Sequence, residues 1–168
     1  DYAHTPEALK TCLLNLREQF KNKKISLLFG CGGNRDQNKR SKMGKIASNY
    51  SDEIYLTDDN PRSENPENIR ASIKKSILPS KMIEIPSRKL AIKNAILNSK
   101  SDEVLIIAGK GHENTQEYIK KNKFSDKDNI RKSIILKNRL LSNDWKLNVL
   151  KEIINNKKLD IIKNLKIS

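Results

Sequence analysis

Leu27-Leu28-Phe29 runs straight into Gly30-Cys31-Gly32-Gly33-Asn34-Arg35-Asp36, an apolar run that stops at a glycine-rich polar cluster. The same break recurs twice, where Ile54-Tyr55-Leu56 meets Thr57-Asp58-Asp59-Asn60-Pro61-Arg62 and where Leu105-Ile106-Ile107 meets Ala108-Gly109-Lys110-Gly111-His112-Glu113. Short buried strands that end in functional loops have this form. In open α/β sheets, ligands bind in the crevice outside the carboxyl ends of the strands, where glycine permits close approach and charge gives recognition. Three such ends imply one shared site.

Each strand candidate is followed by a stretch with helical spacing, the rhythm of βαβ units and of a Rossmann-like, mostly parallel sheet with flanking helices. Thr5-Pro6-Glu7 reads as an N-cap, a proline at the first helical position and an acid in the first turn, ahead of Leu9, Cys12, Leu13, Leu16 and Phe20 on one face. Further helices are predicted over 43–50, over 66–77 with Ile69, Ile73 and Ile77 at four-residue spacing, and over 90–97 with Ala91, Ile92, Ala95 and Ile96. A strand is predicted over 82–85, closed by Pro86, then a small hairpin from 115–118 and 123–124, and a helix capped by Asp126 that runs to Leu136.

The 168 residues suffice for one core, and no second apolar periodicity suggests another. The expected division is a domain over 1–142 and an amphipathic helical extension over 143–168, with Leu147, Leu150, Ile154, Ile161 and Leu165 at near-helical intervals. That extension packs on the domain surface or meets a membrane or a partner. No run is apolar enough to span a bilayer and no signal peptide is evident. With only Cys12 and Cys31 there is no disulfide framework, and a reducing cytoplasm is the expected compartment. His4, His112 and Cys31 lack metal-ligand spacing, so no metal site is expected in this chain.

A formal charge of +14 raises the question of nucleic acid. The lysines are scattered along helical stretches with no aromatic stacking motif beside them, so no specific nucleic-acid binding is expected. Gly30-Cys31-Gly32-Gly33-Asn34-Arg35 carries Arg where a dinucleotide fingerprint needs its third glycine, and Gly109-Lys110-Gly111 lacks the spacing and the following Ser or Thr of a P-loop.

Taken together with Asp1-Tyr2-Ala3-His4-Thr5-Pro6, the three loops closely resemble, in order and spacing, the C-terminal domain of the MurE ligases, over residues 1–141. These enzymes add the third residue of the peptidoglycan stem peptide. The Asp59-Asn60-Pro61-Arg62 motif resembles that of the branch adding meso-2,6-diaminopimelate in place of lysine. The resemblance implies a Rossmann-like Mur ligase C-terminal domain, ATP and Mg2+ in the full-length enzyme, and UDP-MurNAc-L-Ala-D-Glu as acceptor. It also implies that the strand before Asp1 and a central ATPase domain are missing, so that this fragment binds no cofactor by itself, is inactive alone and is a monomer. Within the family, ATP phosphorylates the acceptor carboxylate and an amine of the amino acid displaces phosphate.

The resemblance places Arg35, Asn60, Arg62, Gly109 and Glu113 on diaminopimelate. Residue chemistry fits: guanidinium forks suit carboxylates, Asn60 donates to a carboxylate and accepts from an amine, Gly109 admits close approach, and Glu113 faces the ammonium that does not react. Pro61 fixes the turn presenting Arg62, and Asp59 orients its neighbours. Asp1 and His4, ahead of a helix N-terminus, are expected on the nucleotide side, with a plain helix-start role the alternative for His4. Lys110 and His112 are read as structural within their loop and receive no chemistry, and none of these residues is assigned as catalytic. Ser87-Arg88 stands where many relatives have an acid before the arginine, and the C-terminal extension is unmatched. Two other readings stay open: a Mur-type ligase for L-lysine or another amino acid, and a basic binding module without catalysis.

Overall fold

The computed structural model describes residues 3–111, 113–119 and 121–141. The chain divides into two compact units, Asp1–Ser133 and Ile134–Ser168, and the α/β fold belongs to the first. The expected extension over 143–168 lies outside the described residues.

Four parallel strands form the sheet: β1 (Lys24–Phe29), β2 (Glu53–Leu56), β3 (Met82–Glu84) and β4 (Glu103–Ile107), in the order β3-β2-β1-β4. The central strand β1 is buried from Ile25 to Phe29, because helices cover both faces of a parallel sheet. That is why it reads in sequence as an unbroken apolar run. Ile25, Leu27 and Phe29 pack with Leu9 and Leu13 of α1 (Pro6–Gln19), Met43 and Ala47 of α2 (Asn38–Tyr50) and Ile69 and Ile73 of α3 (Pro66–Lys74). Leu28 and Tyr55 point to the other face and meet Ala91, Ile92, Ala95 and Ile96 of α4 (Arg88–Asn98), with Phe124 and Ile130 packed alongside. A separate antiparallel pair, β5 (Thr115–Glu117) and β6 (Lys121–Lys123), follows β4, and residues 126–141 form the helix α5.

The first helix starts where its sequence predicts, with Thr5 Oγ1 accepting from Ala8 N at 3.2 Å. Among the differences from expectation, which include a last helix running past Leu136 to 141 and an α4 one or two residues longer at each end, three have a local physical cause. α2 begins at Asn38, ahead of Met43, because Asp36 Oδ1 accepts from Asn38 N at 2.9 Å and the charged first turn carries no apolar periodicity to announce itself. α3 ends at Lys74, since the N–H groups of Ser76 and Ile77 turn back to the carbonyls of Ile73 and Lys74 and tighten the chain, although Ile77 stays buried. Asp126 is not a cap: Ser125 Oγ accepts from Asp128 N, and the buried Asp126 carboxylate takes two bonds from Arg88, at 2.8 and 2.6 Å. Ser87 caps α4 through its hydroxyl, and Arg88 Nη2 also reaches the carbonyl of Ala108 at 2.9 Å, holding the end of β4 in place.

Candidate functional site

The loops after β1, β2 and β4 and the residues leading into α1 converge on one cleft of about 360 Å³. Of the residues singled out in sequence, His4, Arg35, Asp59, Asn60, Arg62, Gly109 and Glu113 line it. Pro61 lies buried behind it, and Asp1 is outside the described residues.

Backbone shape makes this convergence possible. A Cβ on Gly33 would lie 1.9 Å from the carbonyl oxygen of Pro61, so the first loop can press against the second only as glycine. Gly33 N donates to Asn60 O at 2.8 Å across that contact. Gly109 has φ +112, a conformation that L side chains rarely adopt, with the Asp59 carboxylate 3.2 Å from where a Cβ would stand. Arg62 is also left-handed at φ +56, a position that costs a non-glycine residue about 1 kcal/mol or more and persists only where its surroundings impose it. Here Arg62 N donates to Glu117 O at 2.9 Å, Nη1 to Gly33 O at 2.8 Å, and Nε pairs with Glu117 Oε2 at 3.1 Å.

The Asn60 amide is more heavily used than its sequence suggested. Its Oδ1 accepts from Lys110 Nζ at 2.7 Å and from Glu117 N at 2.9 Å, and its Nδ2 donates to Glu113 Oε2 at 2.9 Å. Both acceptor positions are therefore taken, and the expectation that Asn60 accepts from a ligand amine is not met in this geometry. Arg35 is exposed and makes no hydrogen bond or ion pair with the described residues. His4 is exposed as well, and its carbonyl accepts from Lys39 Nζ at 3.2 Å.

Beneath the cleft lies a polar layer that sequence reasoning missed. The Asp58 carboxylate is buried, paired with Arg70 Nη1 and accepting from the Tyr118 hydroxyl at 3.0 Å. Burial, reinforced by the Asp58 charge, pushes the Tyr118 hydroxyl up to about 12. Arg70 Nε reaches Glu84 Oε1 at 2.8 Å and holds that carboxyl below its ordinary range. Gln116 Nε2 donates to Asp59 O at 2.8 Å, tying β5 to the same turn. Cys31, between the glycines, is buried against Met43, and burial pushes its thiol up to about 12, which leaves it inert as a nucleophile at neutral pH. The one signal for this layer was in plain view: polar residues placed immediately after buried strands.

The cleft as a whole presents two arginines, Arg62 held at its base and Arg35 exposed with no partner among the described residues, next to the Glu113 carboxylate, whose Oε2 takes the bonds from Asn60 and Lys110. Such a set accommodates a molecule carrying both carboxylate and ammonium groups.

Comparison with known proteins agrees with this architecture. The family model described as Mur ligase, glutamate ligase domain, matches residues 1–111. The UDP-N-acetylmuramoyl-L-alanyl-D-glutamate--2,6-diaminopimelate ligase of Rickettsia bellii is 54% identical over 117 residues, covering 69% of this chain and 25% of that protein. The enzyme of the same name from Rickettsia rickettsii is 50% identical over 136 residues, covering 80% of this chain and 28% of that protein. A solved structure of a UDP-N-acetylmuramoyl-L-alanyl-D-glutamate--2,6-diaminopimelate ligase superimposes with a TM-score of 0.77 at 40% identity, covering 82% of this chain and 29% of its own. The chain thus spans about a quarter of the length of the curated relatives it matches. With the parallel sheet, the loops at its strand ends and the family model all in agreement, the chain belongs to the Mur ligase family, in its glutamate ligase domain.

Proposed function

We propose that this chain is the amino-acid-binding domain of an ATP-dependent, ADP-forming amide ligase that adds meso-2,6-diaminopimelate to UDP-MurNAc-L-Ala-D-Glu in peptidoglycan synthesis, in the cytoplasm. The observation that carries the reading is the placement of Arg35, Asn60, Arg62 and Glu113, from three separate strand ends, around one cleft. The names of its relatives support the substrate. Among the described residues no helix is long and apolar enough to cross a membrane.

In the reaction, the γ-phosphoryl of ATP passes to the acceptor's D-glutamate carboxylate, giving an acyl phosphate and ADP. The neutral amine of diaminopimelate then attacks the acyl carbon, the C–N bond forms, inorganic phosphate leaves with the C–O electron pair, and the nitrogen gives up one proton to phosphate or solvent. This domain's part is orientation. Arg35 and Arg62 take carboxylate oxygens, Glu113 takes the ammonium that does not react, and the backbone at Gly109 admits the ligand closely, so that the attacking amine is held in line. His4, at the edge of the cleft ahead of α1, takes the nucleotide side in this reading. A magnesium ion neutralising phosphate charge belongs to the whole enzyme; among the described residues no three His, Cys, Asp or Glu side chains are placed to hold one.

The test is steady-state kinetics on the intact ligase that carries this domain. ADP and phosphate release should depend on meso-diaminopimelate, and Arg62→Ala should raise its KM by roughly 10- to 1000-fold, the loss of a charge-assisted contact of about 1.5–4 kcal/mol, with the KM for ATP little changed. Equal or better turnover with L-lysine would overturn the assigned substrate, and an Arg62 variant impaired for ATP alone would overturn the assigned side of the cleft.

A further inference from the structure

We propose that Lys110 is the positioning residue of this cleft: its buried ammonium fixes which way round the Asn60 amide lies and holds Glu113 beside it, so that Asn60 meets a ligand only as a donor. The inference rests on the reading of the cleft as an amino-acid site and adds a residue that makes no ligand contact of its own.

Lysine is rarely buried unless it is paired, and Lys110 is 0% exposed. Its Nζ lies 2.7 Å from Asn60 Oδ1, 2.8 Å from Thr115 O, 3.3 Å from Asp59 Oδ1 and 3.4 Å from Glu113 Oε2. An ammonium has three N–H donors and no acceptor, so the amide atom facing it must be oxygen. The backbone N–H of Glu117 imposes the same choice on the same atom from another direction, at 2.9 Å. Two donors from two elements therefore fix the amide orientation, which amide atoms alone leave ambiguous. The nitrogen is then forced toward Glu113, where Nδ2 donates at 2.9 Å.

This arrangement has a consequence for the ligand. Asn60 keeps one N–H and no free acceptor, so it can bind a carboxylate oxygen and cannot bind an ammonium. The ammonium is left to Glu113, whose carboxylate is held in place by Asn60 and Lys110 together. One buried cation thus sorts the two kinds of ligand group between neighbouring side chains on different loops. It also balances Asp59 and Glu113, two carboxylates that would otherwise face each other across the same point.

The experiment is a double-mutant cycle in the intact ligase, using meso-diaminopimelate as the probe. Lys110→Met, which keeps the length and removes the charge and donors, should raise the KM for meso-diaminopimelate about 10- to 100-fold, with kcat at saturating amino acid and the KM for ATP each within about threefold. Combined with Asn60→Ala it should cost little more than the larger single change, because the two residues act as one unit. Effects that multiply, or an equal rise in the KM for ATP, would mean a general structural role and overturn the proposal. Should Lys110→Met fail to fold, Lys110→Gln is put through the same cycle with the same expectation. A structure of the unaltered ligase with meso-diaminopimelate decides independently: a ligand carboxylate oxygen within about 3.2 Å of Asn60 Nδ2 supports the proposal, and a ligand nitrogen there overturns it. An unaltered ligase that ignores meso-diaminopimelate overturns the amino-acid reading and this inference together, whereas a responsive ligase with multiplicative variants overturns this inference alone.

Discussion

Lys110 and Arg35 bring a positive charge to the same cleft in opposite ways. Lys110 is fully buried, with four oxygen partners drawn from two loops and a strand. Arg35 is exposed and has no hydrogen-bond or ion-pair partner among the described residues. The same division runs through the whole site. Asp58, Asn60, Arg70 and Arg88 form a floor of side chains pinned by buried or part-buried partners, Arg70 on Asp58, Lys110 on Asn60 and Asp126 on Arg88, and Arg35 and His4 form a rim open to solvent. A floor made this way is ordered before any ligand arrives, so binding does not have to organise it. A rim of exposed side chains adds little to folding stability, and under the proposed function its contribution is to affinity.

The comparison breaks most visibly if the floor can be damaged without harm. Asp126→Ala leaves the Arg88 guanidinium buried beside Ala108 with its carboxylate gone, and should cost about 3–5 kcal/mol of folding stability. Urea denaturation of the intact protein measures it. A loss below about 1 kcal/mol would show that Arg88 finds another partner and that ion pairing does not hold the end of β4.

An intermediate effect is expected from acid. A hydrogen bond from Arg70 lowers the Glu84 carboxyl, with burial opposing and Lys74 assisting, and the backbone N–H of Asn34 lowers Glu64 in the same direction. For a carboxyl lowered on folding, the stability it adds is complete above its unfolded value of about 4.3 and is lost as pH falls through the lower folded value. The melting temperature should therefore decline below about pH 4, and Glu84→Gln should flatten the decline. An identical slope in that variant would mean that the Arg70–Glu84 pair beside the floor carries none of the acid sensitivity.

The smallest effect on stability is expected at the rim. Arg35→Ala should leave folding within about 0.5 kcal/mol of the unaltered protein, while raising the KM for diaminopimelate about 10-fold in the intact ligase. Denaturation and kinetics on the same preparation test both halves. A clear loss of stability would mean that floor and rim are not separate structures.

The floor was hard to foresee for a reason visible in its residues. Arg88 and Asp126 are 38 positions apart, and Asp58 is 60 from Tyr118, so no local pattern joins them. Lys110 stands between two glycines, where charge suggests a solvated loop and periodicity is silent. Asp126 looked like a helix cap because an acid before an apolar stretch usually is one, and the pairing with Arg88 comes only from packing α4 against the start of α5. By contrast, Thr5 as a cap needed only Ala8, three residues away.

By itself, the sequence determined the parallel sheet, the helices between its strands and the three loops that meet at their ends. These follow from short-range rules: strands buried on both faces are apolar throughout, helices bury every third or fourth residue, and glycine or proline marks where each must stop. Only the tertiary structure decided which polar groups would be consumed in holding those loops together and which would be left for a ligand. Asn60 and Lys110 are 50 positions apart in the chain and 2.7 Å apart in the fold, and whether an amide oxygen faces a ligand or a buried ammonium is settled by that approach alone.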